Sequence, residues 1–171
     1  MSGLDHLWAG WRSAYLDEVT ASDGPVVAGP GSLFEGILGS GLPDDETYIV
    51  HRGPTCFVVL NAYPYTNGHV LVLPNRAVPE LEGLTEDEHT ELWGLVRTSV
   101  GAIREAYRCD GVNVGMNLGR AAGAGVPDHL HVHVLPRWNG DTNFMTAVAE
   151  VRVLTESLRE SYDKLRAAWP R

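Results

Sequence analysis

The stretch Asp128-His-Leu-His-Val-His-Val-Leu-Pro-Arg137 sets three histidines at alternate positions, with Leu130, Val132 and Val134 interleaved. Side chains alternate along an extended chain, so His129, His131 and His133 share one face and the apolar residues share the other. Successive imidazoles then lie about 6–7 Å apart, and the outer two about 13 Å apart. A neutral imidazole is a nucleophile near neutral pH, and its neighbours can hydrogen-bond a phosphate or fix its tautomer. A lone histidine on a strand is usually structural. Three on one face, buried without partners, would cost several kcal/mol, which calls for a function. Zinc is the sharpest rival chemistry. A row about 13 Å long cannot bring three rings within about 2 Å of one ion, so at most two could share a metal.

This strand needs a sheet to hold it. Leu4, Leu7, Trp8, Trp11, Tyr15 and Leu16 recur at helical spacing and predict an amphipathic helix over 4–18. A Gly- and Pro-rich connection follows at 20–31, then one or two apolar helical turns at 33–38 and a loop over 39–46. Stretches 48–52 and 56–61 flank Gly53-Pro54 and predict a hairpin, and Asn67-Gly68 marks a turn before a third strand at 69–74. Thr85-Glu86-Asp87-Glu88 is a capping box that opens a long helix running to about Tyr107. Strands at 112–117 and 129–136 enclose the glycine-rich segment 119–125, and a terminal helix spans 151–168. Strands in a run, joined by tight turns and interrupted by one long helix, define an α+β domain with a mostly antiparallel sheet.

Composition narrows the function classes. The chain has 171 residues, 44% apolar and 20% charged, as expected for a single soluble domain. A net charge of −9 without a basic stripe argues against nucleic-acid binding, although Arg76, Arg120 and Arg137 leave room for a small anion. No apolar run is long enough to span a bilayer, and Asp5, Arg12, Asp17 and Glu18 interrupt any signal-peptide apolar stretch within residues 1–20, so none is expected there. Cys56 and Cys109 form neither a disulfide framework nor a metal pair, so a reduced cytoplasmic setting is expected.

The alternating histidines, the following Pro136-Arg137 and the segment Asn61-Ala-Tyr-Pro-Tyr-Thr-Asn-Gly68-His69 together resemble the histidine-triad family over about residues 48–145. The resemblance implies a single domain over 1–171, with a helical extension at 1–31, a five-stranded core at about 32–145 and a C-terminal helix. Asn113-Val-Gly-Met-Asn117-Leu-Gly119 and Arg137-Trp138 through Phe144 are similar to the diadenosine tetraphosphate phosphorylase branch of that family. In that branch a nucleotide is carried on histidine and handed to phosphate. The resemblance makes His131 the nucleophile on the α-phosphate, has His133 contact that phosphate, and gives His129 a supporting place. Asn61 then binds ribose within a nucleoside-binding hairpin that ends at His69, and Asn117 binds substrate near the phosphate. Trp138 either packs near the base or polyphosphate tail, or is a buried packing residue. N–H groups of the loop containing Gly123 and Gly125 can cradle phosphate oxygens, and Arg120 or Arg137 can hold an acceptor anion. The implied partners are an adenine nucleotide or dinucleoside polyphosphate, with phosphate as acceptor, and a second copy of the chain in a homodimer or higher homo-oligomer; no cofactor is implied.

Two departures qualify the resemblance. Many relatives carry a zinc site, and the alignment puts its positions at Ser32, Glu35, Ala77 and His129, so three of four ligands are missing. Gly125 stands where hydrolytic branches carry glutamine and the phosphorylase branch carries serine, which leaves the acceptor open between phosphate and water. The alternatives are therefore a hydrolase or phosphoramidase using the same nucleophile, or a nucleotide-binding protein without turnover. The acidic run 80–91 lacks the Gly-led, Arg-Glu pattern that a metal-dependent Nudix-type enzyme requires.

Overall fold

The computed structural model describes residues 31–142 and 154–170. The helix expected over 4–18 and residues 143–153 lie outside them. The first described helix, α1 (Leu33–Leu38), starts from a reciprocal capping box: the Ser32 hydroxyl accepts the Glu35 N–H, and the Glu35 carboxylate accepts the Ser32 N–H. The segment 39–46, expected as loop throughout, ends in a single helical turn, α2 (Asp44–Thr47). Pro43 sets the entry, and Asp44, Asp45 and Glu46 supply the negative charge that a helix N-terminus favours. Tyr48, in the left-handed region at φ 57°, turns the chain into the sheet.

Five strands follow: β1 (Ile49–Arg52), β2 (Cys56–Leu60), β3 (Val70–Pro74), β4 (Gly111–Met116) and β5 (Val132–Arg137). The spatial order is β1-β2-β3-β5-β4, and every neighbouring pair is antiparallel. The Glu91 carboxylate anchors the β1–β2 turn by accepting from the backbone of Thr55 and Cys56 and from the Thr55 hydroxyl. Strand β5 is shorter than expected. The ladder begins at Val132, because the Leu130 N–H goes to Val78 O at 2.8 Å and the His129 N–H to Val126 O at 3.4 Å.

Between β3 and β4 runs α3 (Glu86–Tyr107), opened by the Thr85–Glu88 capping box. The terminal helix α4 (Leu158–Ala168) starts later than the expected 151, at the Ser157–Glu160 capping box. Both helices cover one sheet face. Val58, Val72, Val132 and Val134 meet Leu92, Val96, Ile103 and Leu165 there in the main core. The opposite face carries Ile49, Phe57, Val59, Leu71 and Leu73, packed on Phe34 of α1. Registers Leu71↔His133 and Gly115↔His133 place the third histidine at mid-sheet on this second face.

Candidate active site

All three histidines lie on the α1 side of the sheet. Phe34 sits between the first two, with ring centroids 5.5 Å from His129 and 5.4 Å from His131. The His131 and His133 rings stand edge-on, 4.9 Å apart.

Hydrogen bonds define the proton positions. His131 Nδ1 lies 2.9 Å from the His129 carbonyl oxygen, which only accepts. The proton is therefore on Nδ1, and the Nε2 lone pair is uncommitted among the described residues. On the neighbouring ring, the Tyr65 backbone N–H donates to His69 Nδ1 at 3.1 Å, and the Asn61 amide approaches the same atom at 3.3 Å. His69 therefore carries its proton on Nε2 and donates it to His133 Nδ1 at 3.0 Å. The His133 proton is forced onto Nε2, which is buried and has no partner among the described residues. An unmatched buried donor costs about 1–3 kcal/mol, a cost that an incoming phosphate oxygen relieves. A lone pair and a donor thus stand side by side on adjacent rings. One is fit to attack phosphorus and the other to hold its oxygen.

His69, fully buried, is the residue whose role sequence reasoning understated. Expected as a substrate contact, it also orients the His133 ring. The Tyr65 ring also escaped notice; it stacks on His133 at 5.7 Å and 21°. So did Gly115, the β4 neighbour of His133, beside which an added side chain would meet nothing within 4 Å. The absence of a side chain there leaves open space on the triad face of β4.

Other expected site residues fall differently. Asn61 is half-buried at the hairpin base, where its Oδ1 also accepts the Tyr63 N–H. Asn117 donates to Gly123 O at 3.5 Å and tethers the glycine-rich loop. In that loop the N–H groups of Ala122, Gly123 and Ala124 are donated internally, to Gly119 O and Arg120 O. The expected phosphate cradle therefore narrows to Gly125 and its successor Val126, which packs against the triad face. Arg137 is not brought to the triad as an anion holder. Its donors are taken by Asp141, Asn113 and Thr142, with Nε–Oδ2 and Nη2–Oδ1 contacts of 2.6 Å to Asp141. Trp138 falls on the opposite face by strand alternation and packs edge-on against Tyr107 of α3, at 6.1 Å. It takes the packing place rather than the pocket place.

The positions aligned with a zinc site do converge, but not as a metal donor set. Ser32 Oγ is 2.5 Å from His129 Nδ1, and His129 Nε2–H donates to Pro74 O at 2.8 Å, so both ring nitrogens are used. Glu35 accepts from the Ala77 N–H at 3.0 Å, and Ala77 has no side-chain donor. Among the described residues no cluster of three or more His, Cys, Asp or Glu side chains suits a metal. We expect chelators to leave melting temperature and activity unchanged. Elemental analysis finding one zinc per chain would contradict this.

Burial pushes the pKa of all three histidines below the usual imidazole value of 6.5. For His133 burial comes first and the neighbouring His131 second, and together they push it down to about 4. An unfolded histidine takes its proton near pH 6.5, whereas the folded His133 resists until about pH 4. Between these values the unfolded chain binds more protons, so stability is complete above pH 6.5 and is lost as pH falls toward 4. We expect thermal stability to decline across that window while kcat/KM holds at its upper end, because the rate reports the folded histidines, whose protonation burial delays. An acid limb of the rate profile at or above pH 7 would contradict the assignment.

The fold and this site place the chain in the histidine-triad family, whose HIT domain model matches residues 43–140. The chain is 41% identical, over 98% of its length and 86% of the relative's, to an AP-4-A phosphorylase of Mycobacterium tuberculosis. A bis(5'-nucleosyl)-tetraphosphatase (asymmetrical) of Schizosaccharomyces pombe is 39% identical over 54% of this chain and 50% of its own. A zinc-bound histidine triad family protein of Mycobacterium smegmatis superposes with a TM-score of 0.65 at 29% identity, covering 80% of this chain and 91% of that one.

Proposed function

We propose that this protein cleaves diadenosine tetraphosphate by phosphorolysis, through a nucleotide carried on His131. The pairing of a His131 lone pair and a His133 Nε2–H, both without a partner among the described residues, carries this reading. His131 Nε2 forms a bond to the α-phosphorus as the bond to the bridging oxygen breaks, and ATP leaves. The ring, now positive, is held at Nδ1–H by the His129 carbonyl. A phosphate oxygen then attacks the same phosphorus, the N–P bond breaks, ADP departs and His131 returns to its neutral form. Two substitutions replace one difficult displacement, and Gly115, where an added side chain would meet nothing within 4 Å, leaves room for an anion larger than water.

The reading draws support from the relative named AP-4-A phosphorylase, which matches nearly the whole chain. The relative named a tetraphosphatase favours water as acceptor, and Gly125 lacks the serine that the phosphorylase branch carries. Isotopically labelled phosphate separates the two. Label appearing in ADP is the expected result, and unlabelled AMP as the only partner of ATP would overturn phosphorolysis.

We propose further that the chain pairs as a homodimer. β4 is an edge strand with Val114 44% exposed, and Trp93 on α3 is 40% exposed. Such an edge is normally covered. Light scattering should find a dimer at micromolar concentration, and monomer alone would refute it. No helix among the described residues is long and apolar enough to cross a membrane. The free thiols Cys56 and Cys109 favour a reducing, cytoplasmic setting.

A further inference from the structure

His129, Leu130 and His131 precede the β5 ladder, so no regular strand pairing fixes the His129 ring or that of the proposed nucleophile. Other contacts take over. On one side the segment after β3 holds them: Pro74 O accepts from the His129 ring and Val78 O from the Leu130 N–H, both at 2.8 Å. On the other side stands the first turn of α1. The Ser32 hydroxyl reaches His129 Nδ1 at 2.5 Å, and Phe34 wedges between the His129 and His131 rings. Glu35 ties the two sides together, one carboxylate oxygen taking the Ser32 N–H at 2.7 Å and the other the Ala77 N–H at 3.0 Å.

From this closed ring of contacts we infer that the first turn of α1 is a clamp on the triad, with Ser32 as a positioning residue for His131. The chain of cause is short. Because Pro74 O can only accept, His129 must carry its proton on Nε2, and its Nδ1 must then accept from the Ser32 hydroxyl. With the ring held at both nitrogens, the His129 backbone is fixed, and its carbonyl is the acceptor that keeps the His131 proton on Nδ1. Only that tautomer leaves the Nε2 lone pair available. Removing the Ser32 hydroxyl orphans a fully buried nitrogen and lets the His129 carbonyl drift, so that His131 samples the tautomer with Nε2 blocked. Ser32 touches no reacting atom; it acts through His129.

The activity arm of the test rests on the nucleophile reading given above, whereas the spectroscopic arm does not. Two-bond ¹H–¹⁵N correlation spectra of the full chain report the tautomer of each histidine, and kcat and KM are measured on diadenosine tetraphosphate. The expected wild-type spectrum has His131 protonated at Nδ1 alone. In Ser32→Ala a second His131 signal, protonated at Nε2, should appear, and kcat should fall by about 10- to 100-fold with KM little changed. Ser32→Thr, which keeps the hydroxyl, should restore both. Should Ser32→Ala fail to fold, Glu35→Gln, which weakens the tie to Ala77, serves in its place with the same expected direction. An unchanged His131 tautomer overturns the clamp whatever the rate. A wild-type kcat in the variant of an active enzyme overturns it too. A wild-type protein that transfers no nucleotide, combined with a shifted tautomer in Ser32→Ala, would remove the substrate reading and leave the clamp standing.

Discussion

His131→Asn should lower nucleotide cleavage by at least about a thousandfold, the loss that follows removal of a covalent nucleophile. The variant keeps a polar side chain of smaller volume, so α1 and Phe34 remain in place and nucleotide binding should survive. The test therefore has two readouts. Single-turnover kinetics should show no protein-bound nucleotide, and equilibrium binding of a non-cleavable analogue should stay within the wild-type range. A variant retaining a tenth of the wild-type rate would show that another group attacks phosphorus. His133 is the nearest such group, but its Nδ1 accepts from His69 and its Nε2 is protonated, so it has no lone pair to offer.

His133→Ala is expected to lower kcat by about 100- to 1000-fold, the range for deleting one pre-aimed donor to a charge-rich transition state. Its effect should fall on kcat more than on KM, because the phosphate oxygens carry the most transferable charge when the bond to phosphorus is half made. The intermediate should still form, slowly, which separates this variant from His131→Asn. An unchanged kcat would mean that the unmatched Nε2–H is an accident of packing. The partner His69 gives a graded control. Replacing it removes the donor that holds the proton of His133 on Nε2, and some fraction of the rings would then adopt the other tautomer.

Much of this site was legible in residues 128–137, because strand alternation alone puts His129, His131 and His133 on one face. The same rule also places Trp138 on the far face, in the packing role that was one of the two the resemblance left open. Arg137 does share the triad face, but Asp141, four residues on, holds its guanidinium together with Asn113 and Thr142, a competition that composition does not reveal. The tautomers were beyond reach of sequence reasoning. They depend on Ser32, Pro74 and His69, residues 97, 55 and 64 positions from their ring partners. The fold followed the same division. The capping boxes at Thr85 and Ser157 are local signals, and the second, not the apolar spacing from 151, sets the start of the terminal helix. The α2 turn was missed because four residues carry no periodicity to read.

The strand order has a consequence for how the protein comes to be active. β1, β2 and β3 pair with their immediate neighbours along the chain, and β4 and β5 likewise form a pair. Joining the two groups requires Val72 to meet Val132, a separation of 132 − 72 = 60 residues, the long-range step of the sheet. Loop-closure entropy makes such a contact slower to form than the local hairpins. His69 and Pro74 belong to the first group and the triad to the second, so every hydrogen bond that sets a triad tautomer from β3 forms only when that seam closes. A nascent or partly refolded chain can thus hold most of its secondary structure while its histidines remain ordinary, solvated and inert.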